Sequence, residues 1–215
     1  MAKRRRVGNL MALAVLAALV QRPMHPYEMA SLLRAHGKGT DMKIKWGSLY
    51  SVVHSLAKHG LVEVAESSRQ GGRPERTIYR LTEAGRQELA DWERELIVTP
   101  EQELPRFKAA LSVISVLAPD EVVTLLQRRL EVMEARLADQ REALAGYLRE
   151  VPRLFLIEDE YEVAMREAEA AWVRSLLEEL TSGTFPGLGL WRDYHETGHV
   201  PPEISEIAER GGDTD

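Results

Sequence analysis

Residues 46–64, WGSLYSVVHSLAKHGLVEV, change their apolar period from helical to extended at a single glycine. Leu49, Val52, Val53 and Leu56 recur as one face of a helix, because 3.6 residues per turn returns such positions to the same side. Tyr50, Ser51, His54, Ser55 and Lys58 are left largely on the other side. Gly60 punctuates the helix, and Leu61, Val62 and Val64 then read as a short strand.

Working outward from this stretch, the spacing predicts two earlier helices. Asn9 caps the first, which buries Leu10, Leu13, Leu16 or Ala17, and Val20 before Arg22-Pro23 stops it. Pro26 suits the first position of the second, which runs through Tyr27, Met29, Leu32 and Leu33 to Gly37 and Gly39. Downstream, Ser67 to Pro74 is polar and Gly-rich and reads as a turn. Thr77-Ile78-Tyr79-Arg80-Leu81 reads as a returning strand, and Thr82 caps a fourth helix with Glu83 in its first turn. Three helices, a hairpin and a further helix make a winged helix-turn-helix, expected over 9–96. Residues 1–8 precede it as a basic arm.

That arm raises a competing reading. Lys3-Arg4-Arg5-Arg6 before the apolar run Leu10–Val20 imitates a signal peptide. The run has 11 residues, too few to span a bilayer as a helix. It is followed by Gln21-Arg22-Pro23-Met24 rather than a small-residue cleavage site. The run is therefore read as a buried helix. Lys3 to Arg6 either add phosphate contacts or have no role.

Charge divides the chain in two. Residues 1–96 carry 16 Lys and Arg against 10 Asp and Glu, whereas residues 97–215 carry 12 against 24. A basic front half on an acidic back half suggests a nucleic-acid module joined to a different kind of domain.

The back half is helical by its spacing. Leu126, Leu130, Met133, Leu137, Gln140, Leu144 and Tyr147 follow one another at steps of 4, 3, 4, 3, 4 and 3, a heptad seam with one polar member. Pro152 breaks that helix. A second helix carries Ile157, Tyr161, Ala164, Ala168, Trp172, Leu176 and Leu180 roughly on one face. Two such stripes exceed what two helices bury on each other, so a partner copy is expected on a coiled-coil-like dimerisation domain over 97–182. The alternative is that they pack only on their own chain. Gly183 opens a tail, 183–215.

The third helix also has the dimensions that duplex DNA requires, a rod that enters the major groove with polar tips and flanking cations. Tyr50, His54 and Lys58 lie at i, i+4 and i+8 on its outward face. Ser48 stands at its N-terminus, behind Lys43 and Lys45, where the helix dipole favours phosphate. Tyr27 opens the second helix within reach of the backbone. Arg69, Arg73 and Arg76 punctuate the wing, which lies along phosphates or in the minor groove. The bland reading of each residue is a solvated face.

Catalytic classes fare poorly. There is no cysteine, which excludes disulfides, thiol catalysis and cysteine-bound zinc and is compatible with a reducing cytoplasm. There is no Walker loop and no G-x-S-x-G. Glu158, Asp159, Glu160 and Glu162 point in different directions around a helix and are not paired for acid–base work. His195-Glu196-Thr197-Gly198-His199 matches the zinc-peptidase H-E-x-x-H pattern. That chemistry needs both histidines on one helical turn and an oriented third ligand. Gly198 interrupts the turn, Pro201-Pro202 follow, and Glu203 and Glu206 are not oriented as a third ligand. A zinc hydrolase and a helical scaffold with a vestigial head remain as alternatives to a DNA-binding regulator. No cofactor and no metal are expected.

Five segments in order carry a resemblance: His25-Pro26-Tyr27-Glu28-Met29, Trp46-Gly47-Ser48-Leu49-Tyr50, His59-Gly60-Leu61-Val62, Arg73-Pro74, and Tyr79-Arg80-Leu81-Thr82-Glu83-Ala84-Gly85. Together they resemble the signature of PadR-type regulators, and the long helices that follow resemble the larger PadR subgroup with a helical dimerisation domain. Ser51 stands where many relatives have proline. The resemblance implies a cytoplasmic homodimer on an inverted-repeat operator in double-stranded DNA, usually as a repressor, with Tyr50 and the wing against the DNA. It also implies a small aromatic effector held near the dimer interface, for which Trp92, Phe107, Tyr161 and Trp172 are candidates. The competing reading of those four is aromatic core packing.

Overall fold

The computed structural model describes residues 8–35, 37, 45–68, 76–100 and 105–199. Two compact units divide the chain, Met1–Glu103 and Leu104–Asp215.

In the first unit α1 spans Leu10–Gln21. Asn9 caps it as expected, its Oδ1 accepting from the Ala12 amide at 2.9 Å. Met11, Ala12, Leu13, Ala14, Val15, Leu16, Ala18 and Leu19 are all buried, so the helix is apolar around nearly its whole circumference. Such a helix belongs in the centre of a core, which is why its sequence imitates an export segment. Among the described residues no helix is long and apolar enough to cross a membrane. Asn9→Ala should lower the stability of this unit by about 1 kcal/mol, read from its denaturation midpoint, because the Ala12 amide loses its acceptor.

Helix α2, Pro26–Ala35, begins at its proline. Its N-terminus is closed reciprocally: the His25 amide donates to Glu28 Oε2 at 2.9 Å, and the Tyr27 amide donates to His25 Nδ1 at 3.1 Å. A 3-10 turn, Trp46–Ser48, leads into α3, Leu49–Lys58. Leu49, Val52, Val53 and Leu56 are its buried residues, the stripe that the spacing predicts. The helix ends in a Schellman arrangement: Gly60 has φ +71°, Leu61 N donates to Leu56 O at 3.0 Å, and Gly60 N donates to Ala57 O at 3.0 Å.

Strands β1, Val62–Ser68, and β2, Arg76–Leu81, pair antiparallel, with Val62 opposite Leu81, Val64 opposite Tyr79 and a bulge between Val64 and Glu66. Met24 adds a single bridge to the hairpin, exchanging both backbone bonds with Tyr79 at 2.9 and 3.0 Å. One residue between two helices has no periodicity to read, so the sequence does not reveal this bridge. Helix α4, Glu83–Val98, is capped by Thr82, whose Oγ1 accepts from the Gly85 amide at 3.0 Å and donates to the Gly60 carbonyl at 2.7 Å. One side chain thereby ties the end of α3 to the start of α4.

The second unit is helical throughout its described residues: α5, Arg106–Leu111; a 3-10 turn, Ile114–Val116; α6, Pro119–Tyr147; a 3-10 turn, Arg153–Phe155; α7, Ile157–Ser182; and α8, Leu188–Thr197. Helices α6 and α7 form a hairpin braced by ion pairs, Arg174 with Glu134 at 2.6 Å, Arg141 with Glu167 at 2.5 Å, and Arg129 with Glu169. The heptad seam is used inside this hairpin. Leu126 and Leu137 are buried, Leu130, Met133 and Leu144 are half-buried, and Tyr147 is exposed. Leu126 and Leu130 share a core with Val173 and Leu177 of α7.

The buried face of α7 differs from the predicted one. Ala170, Val173, Leu177 and Leu180 turn inward, while Ile157, Tyr161, Ala164, Ala168 and Trp172 stay exposed. A helix apolar on two sides lets the spacing select either side; Val173, Leu177 and Leu180 are the side that joins Val122 and Leu126 of α6 in the core.

Part of the expected tail is also ordered. Gly183 at φ +79° and Gly187 at φ +84° turn the chain back. Leu188 of α8 is buried against Val122, Leu126 and Leu177, and Trp191 Nε1 donates to Leu117 O at 3.0 Å. The Pro, Gly and aromatic content of 183–215 reads as a tail, and Leu188 and Trp191 are the residues that anchor its first part.

Candidate nucleic-acid interface

The inward stripe of α3 fixes what its other face presents. Tyr50 is 60% exposed, and Ser51, His54 and Lys58 are exposed along the same helix. Tyr50 stands edge-on to His25, ring centroids 6.3 Å apart. Sequence spacing does not show this contact between His25 and Tyr50. Tyr27, 67% exposed, opens α2 beside it. A phenol has an apolar ring and one polar tip, so two exposed phenols next to cations suit sugar and phosphate contact.

The approach to α3 is built by packing. Arg34 of α2 lies over the Trp46 ring at 4.4 Å, a cation–π contact that carries the 3-10 turn against α2. Lys45 is exposed at the start of that turn. The Ser48 hydroxyl donates to the Lys45 carbonyl at 2.8 Å, so in this state it closes the turn. Lys43, Arg69 and Arg73 lie outside the described residues, as do the rest of the hairpin tip and residues 1–7 of the arm; Arg76 starts β2, and only its backbone is described.

The four aromatic residues expected around an effector separate. Trp92 is 5% exposed in the core of the first unit, with Leu16, Leu56 and Met29. In the second unit Phe107 and Trp172 meet edge-to-face at 6.2 Å, and Tyr161 is 66% exposed. Beside Phe107 lies a hollow of about 400 Å³ formed by α5, the 3-10 turn Ile114–Val116 and α6.

The H-E-x-x-H segment has no metal-binding geometry. α8 ends at Thr197 and Gly198 turns left-handed at φ +72°, which takes His199 off the helix. His195 Nε2 is bonded to the Ser115 carbonyl at 2.9 Å. Among the described residues no cluster of three potential ligands is present.

Comparison with known proteins agrees with this geometry. The model of the transcriptional regulator PadR-like family matches residues 15–91, which span α1 to most of α4. The negative transcriptional regulator PadR of Bacillus subtilis (strain 168) is 27% identical over 126 residues, covering 59% of this chain and 68% of that protein. Among solved structures, Bacillus subtilis PadR in complex with operator DNA superposes with a TM-score of 0.65 at 21% identity, covering 84% of this chain and 99% of that one. The same protein in complex with p-coumaric acid gives 0.66 at 20% identity, covering 80% and 99%. The virulence activator AphA of Vibrio cholerae gives 0.58 at 21% identity, covering 80% and 98%. At these identities the superpositions establish a shared fold. The family match itself covers residues 15–91, the stretch from α1 to most of α4, and marks that stretch as similar to the transcriptional regulator PadR-like family.

Proposed function

We propose that the chain is a homodimeric repressor that lays α3 of each copy in successive major grooves of an inverted-repeat operator. The observation that carries this reading is the division of α3: four aliphatic residues hold it on the core, and Tyr50, His54 and Lys58 face outward. Lys43, Lys45 and Ser48 guard its N-terminus, Tyr27 touches the backbone, and Arg69, Arg73 and Arg76 of the wing lie along the adjacent phosphates. Half-sites stand about 34 Å apart or a multiple of that.

A second copy docks on the exposed face of α7. Ile157, Tyr161, Met165 and Trp172 there are 53%, 66%, 48% and 49% exposed, large apolar side chains recurring along one side of the helix, the kind of surface that marks a docking face. Tyr147 extends the face; Leu126, Leu130, Met133, Leu137 and Leu144 support it from within the hairpin. The relative found with p-coumaric acid supports an effector reading, in which a small aromatic ligand relieves repression from the second unit, where Phe107 and Trp172 meet, by favouring one dimer geometry.

Fluorescence anisotropy on a labelled duplex from upstream of the chain's own gene tests the DNA reading. Affinity should fall steeply with salt, and Lys58→Ala should reduce the log–log slope by about 0.9, the contribution of one phosphate contact. Arg73→Ala should weaken all sequences alike, whereas His54→Ala should change which sequence is preferred. Wild-type binding by all three variants would place the reading face elsewhere.

A further inference from the structure

We propose that His25 is a positioning residue for DNA recognition: its imidazole, locked by an amide in the first turn of α2, sets the Tyr50 phenol on the outer face of α3 before a duplex arrives. The DNA contact of Tyr50 rests on the function proposed above; the hold of His25 on Tyr50 exists in the chain without DNA.

His25 stands where three elements of the head meet. The residue before it, Met24, is buried and exchanges both of its backbone bonds with Tyr79 of β2. The His25 carbonyl accepts from the Glu28 amide at 2.8 Å and from the Met29 amide at 3.1 Å, the first bonds of α2. The His25 amide donates to Glu28 Oε2 at 2.9 Å, and Arg22 Nη1 lies 4.0 Å from the other oxygen of that carboxylate. The backbone of His25 is therefore pinned by the wing strand on one side and by α2 on the other.

The side chain is pinned as well. Nδ1 lies 3.1 Å from the Tyr27 amide nitrogen. A backbone amide can only donate, so Nδ1 is the acceptor and the ring is the neutral tautomer with its proton on Nε2. That bond fixes the orientation of the half-buried ring. In this orientation the imidazole meets Tyr50 of α3, with centroids 6.3 Å apart and planes at 71°, an edge-to-face arrangement that aromatic pairs favour. Tyr50 is 60% exposed, and an exposed phenol without such a contact samples several rotamers. A phenol that is already fixed loses less freedom on binding. One histidine thus engages the amide of Tyr27 and the ring of Tyr50, the two exposed phenols near the starts of α2 and α3.

The test combines fluorine NMR of the full chain labelled with meta-fluorotyrosine and anisotropy on the upstream duplex. The Tyr50 signal is assigned as the one lost in Tyr50→Phe. His25→Asn keeps an acceptor for the Tyr27 amide and removes the ring. It should move the Tyr50 signal toward that of free fluorotyrosine and weaken duplex binding about fivefold, the size of one aromatic pair. In a Tyr50→Ala background it should have no further effect, because residues that act through one another are not additive. His25→Phe keeps a ring and removes the acceptor, and it should bind closer to wild type than His25→Asn does. A role as helix cap alone predicts the opposite order of the two variants and the same loss in both backgrounds. An unmoved Tyr50 signal in His25→Asn, an equal loss with and without Tyr50, or weaker binding by His25→Phe than by His25→Asn would each overturn the proposal. If His25→Asn moves the signal while Tyr50→Ala binds the duplex like wild type, the hold on Tyr50 stands and its DNA contact fails. If Tyr50→Ala loses affinity while His25→Asn leaves the signal in place, the DNA contact stands and the positioning fails.

Discussion

Gly85→Ala should collapse the head of the molecule, at a cost of about 3 kcal/mol or more. Gly85 lies in the first turn of α4, where the helix passes over the chain leaving α3. A Cβ built there would stand 1.9 Å from the Leu61 carbonyl oxygen and 2.9 Å from the Leu61 carbonyl carbon. Both are backbone atoms, so no rotamer change relieves the overlap. That carbonyl also accepts from the Thr82 amide at 3.2 Å. Moving it would strain the bond and loosen the Thr82 tie between α3 and α4. Thermal denaturation followed by amide exchange in α1 should register the loss, and operator binding should vanish with it. Gly47→Ala is the control, because a Cβ there meets nothing within 4 Å; its melting curve should match wild type. A Gly85→Ala protein as stable as wild type would mean that α4 does not approach Leu61 this closely.

The second large effect is expected from the exposed face of α7. Tyr161→Glu with Trp172→Glu should give a monomer with intact helical content. The two side chains are 66% and 49% exposed in the single chain, and Trp172 gives up one edge contact with Phe107, so charging them costs the isolated fold less than it costs a dimer. In a dimer interface each glutamate would be buried without a partner, a cost of several kcal/mol. Operator affinity should then drop by about 100-fold or more, since a second head bound through the same scaffold acts at high effective concentration. Sedimentation velocity and anisotropy measured together check this. A double variant that still sediments as a dimer would move the interface off this face.

The head was legible because each of its elements has a local signal. The stripe of α3 could be read from Leu49, Val52, Val53 and Leu56 alone, the caps from Asn9 and Thr82, and the α3 stop from Gly60. What escaped depends on long-range pairing: the Met24–Tyr79 bridge and the edge contact of His25 with Tyr50. Trp92 kept two readings for a different reason, and its core reading is the one that holds. An aromatic residue on an amphipathic helix suits a pocket wall or a core equally well by spacing, and only the fold places it beside Leu16 and Leu56. In the back half, α7 is apolar on two faces, so periodicity could not choose between the one that meets α6 and the one that does not. The hollow beside Phe107 had no sequence signal at all, because it gathers side chains from α5, a turn and α6.

The most direct test is selection from a random duplex library by the purified full chain, run in parallel with His54→Ala. Two outward faces of α3 on one dimer should enrich a two-fold symmetric pair of half-sites, and His54→Ala should relax the same base position in both. Enrichment of a single asymmetric site, or a preference that His54→Ala leaves untouched in both halves, would contradict the assignment of α3 as the reading element.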